Sequence, residues 1–178
     1  RAGQSRRLVS LRRGAEDVVR AVLESADEPL HFTEIHRRAA ELILPAQDVR
    51  SIQNAAISVG ILFNRGTYGI ADHCPLTEEE LCLVRAEVED VISGGEPARQ
   101  WHASELCDAL LDRGLSFDGR LTKYVVNYAL KGSERLADLR RMVWGLSNEW
   151  QAGAAARLDV RQAVIDLLEH EGRPMTAA

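Results

Sequence analysis

Two stretches of this chain repeat each other, and the repeat limits the possible folds more than any single motif. His31-Phe32-Thr33-Glu34-Ile35 is matched by His102-Ala103-Ser104-Glu105-Leu106. Ile52-Gln53-Asn54-Ala55-Ala56-Ile57 is matched by Val125-Val126-Asn127-Tyr128-Ala129-Leu130, and Tyr68-Gly69-Ile70 by Trp144-Gly145-Leu146. A period of about 75 residues is too long for solenoid units and suits tandem copies of a small domain. The 178 residues have room for two copies, and a hydrophobic fraction of 46% supplies a core for each.

Each copy has a readable order. In the first, residues 14–72, Val18, Val19, Val22 and Leu23 form a helical stripe, and Thr33 is the expected N-cap of a second helix carrying Ile35, Ala39 and Leu42. Asp48 caps a third helix, with Val49, Ile52 and Ala56 inward and Arg50, Ser51, Asn54 and Ser58 outward. Ile61-Leu62-Phe63 and Tyr68-Gly69-Ile70 then read as two strands of a hairpin turning at Gly66. Pro75 stops this unit, and Thr77 with Glu78, Glu79 and Glu80 opens the next, residues 76–150. Its first helix carries Leu81, Val84, Val88, Val91 and Ile92 inward. Ser104 is the expected cap of its second helix and Asp118 of its third. Residues 1–13 read as a basic arm or linker, and residues 157–178 as a helix that either starts a truncated third copy or caps the second.

The order predicts a mainly α fold with small β-hairpin wings. With HFTEI, a following helix and FNRGTYGI over residues 14–72, the first copy resembles a winged helix-turn-helix domain, and more narrowly the HARE-HTH group. That group includes the amino-terminal domain of the bacterial RNA polymerase delta subunit. The resemblance implies tandem winged helix-turn-helix domains in which third helices and wings meet a duplex.

The net charge of −5 gives no general attraction for nucleic acid, so any such contact depends on local patches. Such a patch is present. Residues 120–144 hold Arg120, Lys123, Lys131, Arg135, Arg140 and Arg141 against Glu134 and Asp138, whereas residues 73–119 are strongly acidic. On a helix begun at Asp118, the residues Arg120, Lys123, Asn127 and Lys131 share the face opposite Leu121, Val125, Tyr128 and Ala129. Arg and Lys pair with guanine edges or phosphates and Asn with adenine. The candidate DNA contacts are therefore Arg50, Ser51, Asn54 and Arg65 in the first copy and Arg120, Lys123, Asn127, Lys131, Arg140 and Arg141 in the second. Arg6, Arg7, Arg12 and Arg13 are candidates for a minor-groove or phosphate-binding arm.

Other chemistry has little support. No Gly-rich phosphate loop, GxSxG or HExxH is present, and His73, Cys74 and Cys82 lack a fourth metal ligand at usable spacing. Cys74, Cys82 and Cys107 are odd in number and read as reduced thiols. No apolar run approaches the roughly 18 residues of a membrane span. The expectation is a fragment of a larger protein, cytoplasmic and nucleoid-associated if bacterial, without catalytic residues, metal or cofactor, that binds double-stranded DNA. The alternative is a protein-interaction module that docks a polymerase or nuclease complex through the acidic surface of residues 76–112.

Overall fold

The computed structural model describes residues 14–42 and 48–150. The arm at 1–13 and the helix expected at 157–178 lie outside the described residues.

The first helix, α1 (Ala15–Glu24), buries Val18, Val19, Val22 and Leu23, the stripe its sequence carries. A two-residue strand, β1 (Leu30–His31), leads into α2 (Phe32–Ala40), and α3 (Val49–Val59) precedes the hairpin β2 (Ile61–Asn64) and β3 (Thr67–Gly69). After a 3-10 turn at Ala71–His73 the order recurs as α4 (Glu78–Ser93), β4 (Trp101–His102), α5 (Ala103–Asp112), α6 (Lys123–Leu130), β5 (Leu136–Asp138) and β6 (Val143–Leu146). The described chain is thus mainly helical with two small antiparallel sheets, ordered β1-β3-β2 and β4-β6-β5.

At the strands the register agrees with the internal alignment. Leu30 faces Tyr68 as Trp101 faces Trp144, and His31 faces Thr67 as His102 faces Val143. Phe32 N–H donates to Gly66 O and Ala103 N–H to Met142 O, both at 2.8 Å. Each copy closes over its own buried cluster. One is built from Val19, Leu23, Ile35, Ile52 and Ala56, the other from Val84, Leu106, Leu110, Val126, Leu130 and Trp144. The two copies also touch, because α6 packs on β2, with the Phe63 and Tyr128 rings 6.2 Å apart and tilted by 55°.

The helix starts required correction. The N-caps of α2 and α5 are His31 and His102, and Thr33 and Ser104 lie in the first turn. Each histidine adopts an extended backbone, and its Nδ1 accepts the N–H two residues on, at 3.4 Å from Thr33 and 3.1 Å from Ser104. The Thr33 and Ser104 hydroxyls approach the same Nδ1 atoms at 2.8 and 2.7 Å. A ring nitrogen as first acceptor is outside the usual Ser, Thr, Asp and Asn preference, so composition alone misplaces the cap. Asp48 and Thr77 do cap α3 and α4, and Thr77 forms a reciprocal pair with Glu80.

The helix expected from an Asp118 cap begins four residues late, at Lys123, capped by Thr122. Phe117, Asp118 and Gly119 all have positive φ, and the Gly119 and Leu121 N–H groups turn back to Ser116 O. That compact turn takes up the segment before a helix can form. Two apolar positions also differ from expectation: Val49 is exposed on α3, and Leu42 lies beyond the end of α2 and is exposed. Among the described residues no helix is long and apolar enough to cross a membrane.

Candidate nucleic-acid interface

In the second copy two of the six bases of residues 120–144, Arg120 and Arg135, are held by acids of α4. Arg120, which precedes α6 and is not part of it, forms a two-pronged pair with Glu80 at 2.6 and 3.0 Å. Its Nε also donates to Phe117 O, and its guanidinium reaches Pro75 O. Glu80 Oε2 meanwhile accepts the Thr77 N–H at 2.8 Å, so Arg120 completes the cap of α4. The Arg120 guanidinium, with the Thr77 N–H second, holds the Glu80 carboxyl below the usual carboxylate range.

Arg113, Arg135 and Arg85 are also engaged within this copy. Arg113 bridges Glu87 and Asp90 at 2.8 and 2.9 Å. Arg135 pairs with Glu89, which also accepts the Ser133 hydroxyl. Arg85 donates from Nε to Ala129 O at the end of α6, where a cation suits the helix dipole. The acidic face of α4 is thus largely the inner clamp of its own domain, and the stretches that looked electrically opposed in sequence meet in space.

Two more candidates have structural duties. Asn127 Oδ1 accepts the indole N–H of the buried Trp144 at 3.1 Å. Ser51 donates its backbone N–H to Asp48 Oδ1 and its hydroxyl to Oδ2, which ties it to the cap of α3. Lys123 is half-buried, with its Nζ 5.3 Å from the Tyr124 ring centre. The expected stripe therefore loses Arg120, and of Lys123, Asn127 and Lys131, which keep their four-residue spacing on α6 and its C-cap, only Lys131 is exposed.

What remains outward is a smaller set. Arg50, Asn54 and Arg65 of the first copy and Lys131, Arg140 and Arg141 of the second are exposed. None of these cations joins an ion pair with another described residue. No protein-family model, curated protein or solved structure matches this chain. Geometry alone therefore carries the assignment.

The decisive geometry is at the junction of the two copies. A groove of about 470 Å³ runs between the end of α3 with β2 on one side and α6 with the β5–β6 turn on the other. It brings Ile57 of α3 alongside Lys131, Arg140 and Arg141. The turn itself is unusual, since Arg140, Arg141 and Met142 have φ of 75°, 54° and 63° in succession. Non-glycine residues there cost about 1–2 kcal/mol each, and such outliers cluster at binding sites. The Arg140 N–H donates to Asp138 Oδ1 at 2.8 Å, and the Val143 N–H closes the turn onto Arg140 O. Neither the groove nor the left-handed turn has a sequence signal, because Leu139-Arg140-Arg141-Met142-Val143 contains no glycine.

Near the link between copies, both ring nitrogens of His73 are engaged. Nε2 lies 2.9 Å from Ala26 O, and Nδ1 accepts the Ile70 N–H at 3.3 Å. This gives His73 a structural role tying the 3-10 turn to the end of α1.

Proposed function

We propose that the chain is a tandem winged-helix module that binds duplex DNA through one composite face rather than through two equivalent ones. The order helix, strand, helix, helix, hairpin in each copy, with the first strand paired to the last, supports the winged-helix reading. The first copy contributes the outward side of α3, Arg50 and Asn54, with Arg65 on its hairpin. The second contributes its wing, Arg140 and Arg141, with Lys131. The observation that carries this reading is the strained β5–β6 turn, which displays beside the end of α3 two arginines that form no ion pair among the described residues.

Arg120, Asn127 and Ser51 act in this reading as structural supports, and Lys123 as a peripheral contact. No catalytic step is assigned. The protein-docking alternative retains one observation: Leu83 and Leu111 are each 43% exposed among the acids of α4 and α5. Six of those acids, Glu78, Glu80, Glu87, Glu89, Asp90 and Glu105, are already paired within the domain, which leaves that surface less charge to offer.

The test is a duplex titration of the whole chain at two salt concentrations. If about four cations reach phosphates, log affinity falls against log salt with a slope of about −3 to −4. Arg140→Glu with Arg141→Glu, or Arg50→Glu, should each weaken binding, whereas Arg120→Gln should leave affinity unchanged while lowering the melting temperature. Absence of binding at low salt, or affinity that is indifferent to Arg50 and the Arg140-Arg141 pair, would sink the reading.

A further inference from the structure

We propose that the groove between the two copies docks an acidic, amphipathic segment of a partner protein. The proposal stands on the groove's own lining and does not depend on DNA binding. Its apolar surface comes from both copies: Ile57, 58% exposed at the end of α3, with half-buried Ile61 and Leu62 of β2 and Met142 of the wing. An aliphatic residue left that open on a helix flanking a recess is unused by the fold, whose core in this copy closes on Ile52, Ala55 and Ala56 instead.

The charge of the groove selects the occupant. Among the described residues lining the groove, Lys131, Arg140 and Arg141 meet one acid, Asp138, and an oxygen of that carboxylate is already taken by the Arg140 N–H. The recess is therefore apolar within and positive at its edge. Phosphates would satisfy the edge and leave the aliphatic side chains wet. A helix with aliphatic residues at three- to four-residue spacing and carboxylates between them satisfies both. Because the walls of the groove belong to different copies, an occupant would also bridge them across the Phe63–Tyr128 contact. Where the chain binds DNA as proposed above, the duplex and the acidic segment would share Arg140 and Arg141 and compete.

The experiment uses the full chain and a fluorescent peptide of about 16 residues, with leucines at helical spacing and glutamates elsewhere. The comparison ligands are the same peptide with lysines for glutamates, polyglutamate of equal length, and duplex DNA. The acidic peptide should bind and shift the methyl resonances of Ile57, Ile61, Leu62 and Met142. Ile57→Glu and Arg140→Ala with Arg141→Ala should each weaken it at least about tenfold. Both variants alter exposed positions, and circular dichroism checks that they fold. Equal binding by polyglutamate or by the lysine peptide, shifts mapping elsewhere, or no binding would overturn the proposal. So would duplex DNA moving these methyls when the peptide does not, which would make nucleic acid the occupant. Arg50→Glu separates the two readings, since it should weaken duplex binding and leave the peptide unaffected.

Discussion

The two hairpin turns occupy equivalent places and solve the same problem differently. In the first copy, Gly66 takes the left-handed conformation at φ 70°, and its carbonyl receives the N–H that opens α2. In the second, Met142 does both tasks at φ 63°, preceded by Arg140 and Arg141 in the same conformation. Glycine meets the requirement at little steric cost, whereas three side-chain-bearing residues do not. The copy that carries the strain is the one that presents two adjacent arginines to the groove. A turn serving connection alone would be expected to resemble the first.

The largest effect expected in this comparison is in the sheets that support the turns. Trp144 is 1% exposed and its N–H is held by Asn127, so Trp144→Ala should cost about 3–5 kcal/mol by thermal or denaturant unfolding. A loss below about 1 kcal/mol would mean the second sheet is not anchored to its core as described.

The turns themselves come next. At Gly66 an added Cβ would lie 2.9 Å from His31 Nε2 and 3.1 Å from the Phe32 ring, in a backbone that disfavours it, so Gly66→Ala should destabilise by at least about 1–2 kcal/mol. Arg141→Gly should do the reverse, stabilising by about 0.5–1 kcal/mol after the greater flexibility of glycine in the unfolded chain is deducted, while weakening duplex binding. If Arg141→Gly destabilises the protein, the turn is not strained and the contrast fails.

Smaller effects test the caps. His31→Ala and His102→Ala should each cost about 0.5–2 kcal/mol, more than Thr33→Ala or Ser104→Ala, because the imidazole is the acceptor of the helix N–H. Equal losses at both positions would return the cap to the hydroxyls.

The smallest effect is an acid one. Glu34 accepts from Arg37 and Arg38, and these bonds pull its carboxyl down to about 2. A lowered folded-state value means the contribution is present above the ordinary carboxylate range and is lost as pH falls toward 2. The pair is solvent-screened, so Glu34→Gln should flatten the acid limb of the stability profile only slightly; an unchanged limb would assign the bonds no weight.

Much of the architecture was legible because it rests on local signals. The apolar stripes of α1 and α4, the caps at Asp48 and Thr77, and the β2–β3 hairpin all follow from neighbours within a few residues. The three-residue strand β5 was not legible, since it ends on Asp138, lies between Arg135 and Arg140, and has β6 as its partner. The start of α6 was misplaced because Asp118 has the chemistry of a cap but sits in a left-handed turn. The histidine caps were hidden for the opposite reason: the chemistry is uncommon, though its recurrence before both second helices was visible.

By itself the sequence determined that the chain repeats, which segments are helical, and that positive charge gathers after residue 119. Only the tertiary structure decided which charges face outward. Arg120 meets Glu80 forty residues away, Arg135 meets Glu89, and Asn127 turns to Trp144. Local periodicity ranks a residue as polar and outward on its own helix, but an ion pair or hydrogen bond depends on which distant element packs beside it. The groove exists for the same reason, since α6 rests on β2 of the other copy and leaves Ile57 open beside Arg140 and Arg141.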